Sequence, residues 1–248
     1  MYGQCGISKH CPVEPVQTLI RERMMNIPHS PTLPIHSVIG CLSFFNADNL
    51  EIMRGYKDKE FDLAIVDPPY GIDINPNMGI KKGQKKRHEK INWDNEIPPQ
   101  EYFDELFRIS KNQIIWGGNY FPLPPTKHFI FWDKMNPEGL SFSDGEMAWT
   151  SFNKAIRKWS RRNAIDGKIH PTQKPIELYD WIIRNYAQPN QKIIDTHLGS
   201  GSIAIAVEKS NRMDKMNLEF VGIELNSTYY EKALNRIEQY CRQGTLSF

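Results

Sequence analysis

The sequence predicts an α/β domain built on a mostly parallel sheet covered on both faces. Three observations carry this expectation. Short apolar runs alternate with helix-patterned segments along most of the chain. A glycine turn, Gly199-Ser200-Gly201, joins one such run to an apolar helix. Another run, Phe61 to Val66, has no polar alternation beyond Asp62 and is halted by Pro68-Pro69.

In chain order, residues 1–35 hold five prolines (Pro12, Pro15, Pro28, Pro31, Pro34) and one weak helical stretch, Val16 to Ile27. They read as a partly mobile extension ahead of a single domain over 36–248. Phe61 to Val66 is a buried strand. Tyr102, Phe103, Leu106, Phe107 and Ile109 recur at helical spacing after Pro98-Pro99, which suit a helix start. Gln113 to Trp116 is a strand stopped by Gly117-Gly118, His128 to Trp132 another, and Glu146 to Phe152 a weaker one. Pro175 to Ala187 is a helix with Thr172 as a candidate cap. Lys192 to Ile194 and Phe220 to Ile223 are strands, and Ser227 to Arg242 is a closing helix with Tyr230, Ala233, Ile237 and Cys241 on one face.

With 248 residues, 40% of them hydrophobic, the chain can bury a sizeable core. No apolar run reaches the roughly 18 residues of a membrane span, and no basic start precedes an apolar stretch near Met1, so a cytoplasmic location is expected. Cys5, Cys11, Cys41 and Cys241 form no Cys-x-x-Cys pair. Reduced thiols are expected rather than a zinc site.

Net charge is only +2, but its distribution is uneven. Lys81, Lys82, Lys85, Lys86, Arg87 and Lys90 face one acid, Glu89. Lys154, Arg157, Lys158, Arg161, Arg162 and Lys168 face one acid, Asp166. Either cluster alone is an ordinary solvated loop. Two in a nearly neutral chain point to a polyanionic partner.

Gly199, Gly201 and Ala204 fit the G-x-G-x-x-G/A turn, where glycines allow close backbone approach to a ligand. Glu224 ends the next strand, 23 residues after Gly201, where a carboxylate can accept both hydrogen bonds of a ribose diol. An adenosine-type cofactor is expected. A dinucleotide is not, because only 47 residues follow Gly201 and a dinucleotide fold opens with its glycine turn. Most of the sheet must therefore precede the turn, a permuted order.

Asp67-Pro68-Pro69-Tyr70 leaves the strand Phe61 to Val66. Ligands of open parallel sheets sit beyond the carboxyl ends of strands, so this loop and the glycine turn can share one pocket. The Asp67 carboxylate and the Pro68 carbonyl can accept the two hydrogens of an exocyclic amine. That would draw its lone pair out of conjugation. The Tyr70 ring offers a stacking face for a flipped base.

Asp-Pro-Pro-Tyr early and Asp195-x-x-Leu198-Gly199-Ser200-Gly201-Ser202 late resemble the amino-methylating DNA methyltransferases of the β class. So do Ile169-His170-Pro171-Thr172-Gln173-Lys174-Pro175, Trp132-Asp133-Lys134 and the strand Phe220 to Glu224. The resemblance runs from about Ser43 to Tyr240. It implies a Rossmann-like S-adenosylmethionine-dependent methyltransferase fold with one antiparallel strand. It implies S-adenosylmethionine as cofactor, double-stranded DNA as partner, and a homodimer. By the same resemblance Asp67, Pro68, Pro69 and Tyr70 form the target-amine site. Asp195, Leu198, Gly199, Ser200, Gly201 and Ser202 hold the methionine part, His197 packs against the cofactor, Glu224 takes the ribose, and Thr172 and Lys174 approach the cofactor carboxylate. Asp48 matches an acidic position that contacts cofactor. His197 stands where the family usually has Phe and is read as a packing ring. The recognition region, about 149–168, is short, so contacts from the basic 81–90 loop would supplement it.

Adenine N6 is the expected target. Cytosine-N4 methylation is the nearest alternative, but it more often carries Ser in place of Asp67. RNA or protein-glutamine methylation more often carries Asn there. An inactive DNA-binding module of the same fold is the alternative from another class. Cytosine-C5 chemistry needs a cysteine nucleophile, and neither pocket loop has one.

Overall fold

The computed structural model describes residues 35–72, 96–137, 143–162 and 168–243. The N-terminal extension and the basic stretch Lys81, Lys82, Lys85, Lys86, Arg87 and Lys90 lie outside the described residues.

Among the described residues nine strands form one sheet: β1 (Ile35–Ile39), β2 (Leu42–Asn46), β3 (Phe61–Val66), β4 (Ser110–Trp116), β5 (Phe129–Asp133), β6 (Gly145–Thr150), β7 (Arg157–Ser160), β8 (Lys192–Asp195) and β9 (Glu219–Glu224). Their spatial order is β1-β2-β9-β8-β3-β4-β6-β5-β7. Pairing is parallel from β2 through β9, β8 and β3 to β4, and between β5 and β7. β6 runs antiparallel between β4 and β5, where one antiparallel strand was expected without its place being known. β1 is a second antiparallel strand, paired with β2 across a tight turn in which Gly40 takes φ +61°. The permuted order holds, since β8 and β9 come late in the chain yet sit beside β3.

Among the described residues five helices flank the sheet: α1 (Asn49–Arg54), α2 (Gln100–Ile109), α3 (Ile176–Tyr186), α4 (Ser202–Met213) and α5 (Ser227–Gln243). The central strands read as unbroken apolar runs because both faces are covered. Leu63 and Ile65 of β3 join one core with Leu178 and Ile182 of α3, Ile203 and Val207 of α4, and Ile237 of α5. Ala64 and Val66 point the other way, into a second core with Met53 of α1 and Tyr102, Phe103 and Leu106 of α2.

Several boundaries differ from expectation for local reasons. Pro99 and Pro175, not hydroxyl side chains, start α2 and α3, and Thr172 turns back to His170 instead of capping α3. α2 runs directly into β4 at Ser110, whose hydroxyl donates to the Leu106 carbonyl at 2.5 Å. The short strand β7 was not expected, because Arg-Lys-Trp-Ser has no apolar alternation. Its pairing with β5 and the Trp132 Nε1 hydrogen bond to the Arg161 carbonyl at 2.9 Å create it. Cys41 is disulfide-bonded rather than the reduced thiol expected, whereas Cys241 is a free, buried thiol. Among the described residues no helix is long and apolar enough to cross a membrane.

Leu63 is 1% exposed on the strand that carries Asp67. Leu63→Ala is expected to lower unfolding free energy by about 2–5 kcal/mol, the range for a buried leucine leaving a cavity. Urea denaturation measures this, and a loss below about 1 kcal/mol would mean that the strand is not packed as described.

Candidate active site

Parallel pairing brings the carboxyl ends of β2, β9, β8 and β3 to one edge. The loops leaving them enclose a cavity of about 660 Å³. Asp48 and Asn49 enter from β2, Asp67 to Tyr70 from β3, Thr196 to Ser200 from β8, and Glu224 to Ser227 from β9. His170, Thr172, Gln173 and Lys174, ahead of α3, close another side. The two motifs expected to share a pocket do share one.

Asp67 is engaged at both oxygens. Oδ1 accepts from the Tyr70 hydroxyl at 2.6 Å, and Oδ2 accepts from Lys174 Nζ at 2.5 Å. The Tyr70 ring rests on Gly117, where a Cβ would lie 2.2 Å from Cε1, so the glycine that ends β4 makes the seat for this ring. The exposed Tyr120 ring stacks parallel on Tyr70, with centroids 5.1 Å apart and planes inclined by 13°.

Lys174 borders the cavity, and its ammonium is paired with two carboxylates. Its ammonium lies between Asp67 and Glu146 Oε2, the latter at 3.0 Å, and Lys134 pairs with Glu146 Oε1 at 2.7 Å. Burial alone would lower the Lys174 ammonium, but the two carboxylates outweigh it and its pKa is raised. Burial likewise pushes Glu146 upward, and the two lysines reverse this, holding it at about 2. Asp67 stays raised by burial despite Lys174, with the nearby Glu146 charge adding to the rise.

His197 borders the cavity. It meets Tyr102 edge-on at 5.3 Å. Asn49 Nδ2 donates to Nε2 at 3.1 Å, so the ring proton sits on Nδ1, facing Thr196 Oγ1 at 3.0 Å. Burial lowers its pKa to about 3, so the ring is neutral at ordinary pH.

Glu224 Oε2 accepts the Gly199 N–H at 2.9 Å and Oε1 accepts the Asn226 N–H at 2.9 Å. These bonds aim the carboxylate beside the glycine turn and leave further lone pairs toward the cavity. Asp48 caps α1 by accepting the Glu51 N–H at 3.1 Å and also borders the cavity. Leu198, Gly199, Ser200 and Ser202 line it too, but Asp195 and Gly201 do not. Gly201 takes φ +69° at the start of α4, and a Cβ there would lie 2.8 Å from Ile237, so its role is helix packing. Asp195 lies beneath the turn, where it accepts the His197 N–H at 3.0 Å.

The second basic stretch flanks the opposite edge of the sheet. Lys158 pairs with Asp133 at 3.0 Å and Arg161 with Glu177, while Arg157 and Arg162 have no acidic partner among the described residues.

A profile of the DNA methylases matches residues 115–235. YubD of Escherichia coli (strain K12), assigned to the methylases, is 32% identical over 228 residues, covering 81% of this chain and 93% of YubD. The chain belongs to the amino-methylating N6/N4 DNA methylase family. The type II methyltransferase M.BglII of Bacillus subtilis is 22% identical, over 81% of this chain and 74% of its own. Two solved structures share the fold: the M1.HpyAVI–SAM complex, with TM-score 0.51, 22% identity and coverage of 79% and 99%, and the cytosine-N4-specific PvuII DNA methyltransferase, with TM-score 0.52, 12% identity and coverage of 82% and 92%.

Sequence reasoning about this DNA methylase missed Glu146, Asn49 and Tyr120. Glu146 is the second residue of an antiparallel strand, whose amino end reaches the edge where the parallel strands finish. The weak pattern of Glu146 to Phe152 gave no direction. Asn49 became visible only as the partner of His197. Tyr120 had a faint signal in Gly117-Gly118-Asn119-Tyr120, a turn closed by the Tyr120 N–H to the Gly117 carbonyl at 2.8 Å.

Burial, with the Asp67 and Glu224 charges adding to it, lifts the Asp195 carboxyl to about 8. Unfolded, it would ionise near pH 4. Between about pH 4 and pH 8 the folded chain keeps a proton that the unfolded chain has released, so stability falls as pH rises, by up to roughly 1.4 kcal/mol per pH unit. Asp195→Asn keeps the oxygen that accepts from His197. Its stability advantage over the parent should widen from about pH 4 to about pH 8 in denaturation curves. A gap independent of pH would mean that Asp195 is ionised throughout.

Proposed function

We propose that this chain transfers a methyl group from S-adenosylmethionine to N6 of an adenine rotated out of double-stranded DNA. The observation that carries the reading is the opening of Asp67, at the end of β3, and Glu224, at the end of β9, into one cavity. One carboxylate suits an amine and the other a ribose, and a single small-molecule donor can span them.

The residues fit such a cofactor. Gly199 takes φ +53°, and a Cβ there would meet nothing closer than 3.7 Å, so the turn is open toward the cavity. Glu224 offers acceptors to vicinal hydroxyls, and Thr172, Ser200 and Ser202 offer hydroxyls of their own. When bound, the cofactor supplies an electrophilic sulfonium methyl group. The chain's part is then to hold the base. Asp67 and the Pro68 carbonyl accept the two amine hydrogens, which turns the nitrogen lone pair toward the methyl group. The Tyr70 ring supports the base face. In such a transfer the N–C bond would form as the C–S bond breaks, the C–S electron pair would remain on sulfur, and one amine proton would leave to solvent. No covalent enzyme intermediate is required.

Asp as the first residue of the motif favours adenine over cytosine. The test is incubation with unmethylated duplex DNA and methyl-labelled S-adenosylmethionine, then nucleoside digestion and mass spectrometry. Label in N6-methyladenine is the expected outcome. Label in N4-methylcytosine would overturn the base assignment, and unlabelled DNA would overturn the substrate. Asp67→Ala should lower kcat by on the order of a hundredfold or more, because an acceptor used at the transition state is lost. Glu224→Ala should instead weaken cofactor binding about tenfold, equivalent to about 1.4 kcal/mol. Wild-type values in either variant would remove that residue from its role.

The basic residues expected to meet DNA phosphates include Arg157 and Arg162, the two cations of β7 and its continuation that lack an acidic partner among the described residues. Arg157→Glu with Arg162→Glu should reduce the slope of log affinity against log salt by about two, one per lost phosphate contact. An unchanged slope would leave them as solvated surface.

A further inference from the structure

We propose that Lys174 and Glu146 are positioning residues for methyl transfer: Glu146 holds the Lys174 ammonium against Asp67, and the ammonium keeps Asp67 an ionised acceptor for the target amine. This rests on the reading of Asp67 as the residue that receives that amine.

Three separate elements build the arrangement. Asp67 follows β3, Glu146 lies at the amino end of β6, and Lys174 precedes α3. The Lys174 side chain is 2% exposed, and its ammonium lies over the Trp116 ring at 5.1 Å. A lysine so enclosed stays charged only if anions face it. Two do, at 2.5 Å and 3.0 Å.

The partners are shared unequally. Glu146 has two cations, Lys134 and Lys174, with Lys168 also near enough to act on it. Asp67 has one cation within hydrogen-bonding range among the described residues, Lys174, and one hydroxyl, that of Tyr70. The other groups whose charge couples to Asp67 are Glu146, Asp195, Tyr102 and Tyr179. Both of these tyrosines and Tyr70 are pushed upward and stay neutral, and Asp195 is largely protonated near neutral pH. Removing the Lys174 charge leaves two buried carboxylates and one lysine. Lys134 belongs to Glu146, so Asp67 would take up the proton. A protonated Asp67 presents an O–H where the amine presents an N–H, and the acceptor is lost.

The test separates this role from a contact with the cofactor carboxylate. Lys174→Met, Lys174→Arg, Glu146→Gln and Lys174→Met/Glu146→Gln are compared with the parent by the pH profile of kcat at saturating S-adenosylmethionine, and by cofactor affinity from calorimetry. Lys174→Met should lower kcat near pH 7 about a hundredfold and raise the acid limb by about one pH unit or more. Cofactor affinity should stay within about threefold of the parent, well below the tenfold shift that 1.4 kcal/mol produces. Lys174→Arg should restore the limb. The double variant should bring it part of the way back, because the like charge beside Asp67 has gone. Glu146→Gln should lower kcat about tenfold, within the range of a positioned group.

A tenfold or greater loss of cofactor affinity in Lys174→Met, with kcat retained at saturation, would assign the ammonium to the cofactor and overturn the proposal. So would an unmoved acid limb. Parent kcat in Glu146→Gln would remove the Glu146 half. Asp67→Ala in the same series keeps the two readings apart. If it retains transfer, the amine-acceptor role falls. If it loses transfer while Lys174→Met keeps the parent profile, only the present inference falls.

Discussion

Parallel pairing of β2, β9, β8, β3 and β4 is the constraint on which the rest of the molecule depends. A parallel strand can return only by a crossover, so helices must lie over the sheet and both faces must be apolar. Leu63 and Ile65 therefore face one core, and Ala64 and Val66 the other. The same pairing leaves every strand ending at one edge. Backbone groups there have no ladder partner, and side chains must answer them. Asp48, Asp195 and Glu224 do so by accepting loop or helix N–H groups. A row of acids at that edge is a consequence of how the sheet ends.

The reversal of β6 adds the counterpart. An antiparallel strand delivers its amino end to the edge where its neighbours deliver carboxyl ends. Glu146 thereby joins residues more than a hundred positions from one another in the chain, and Lys174 lies between it and Asp67. Low polarity around these groups makes an unpaired charge costly, so the network holds two acids against two lysines, Lys134 and Lys174. His197 is treated differently. It carries no charge, and its two ring nitrogens are matched to one donor and one acceptor.

Membership of the DNA methylase family gives this edge a chemical purpose. An exocyclic amine conjugated to a base ring is a poor nucleophile. In the proposed reaction, the arrangement around Asp67 would supply acceptors and an aromatic seat for such an amine. The Tyr70 ring depends on the bare backbone of Gly117, and the Tyr120 ring lies over it on the solvent side. The seat is thus made by residues of two loops, each fixed by the end of its own strand.

The sequence alone determined the fold class, the permuted order and most of the pocket's border. Buried parallel strands announce themselves as continuous apolar runs, and Pro68-Pro69 and Gly199-Ser200-Gly201 mark where two of them stop. Asp67, Tyr70 and Glu224 were legible because each follows or ends such a run. Only the tertiary structure decided which charges meet. The Lys174 ammonium goes to Asp67 and Glu146, because a buried cation settles where anions converge from other strands. The tertiary structure separated Gly201 from Gly199, since one packs under α5 and the other borders the cavity. It also revealed β1, β7 and the place of Glu146. Strand direction and edge pairing are set by neighbours distant in the chain, and local pattern does not contain them.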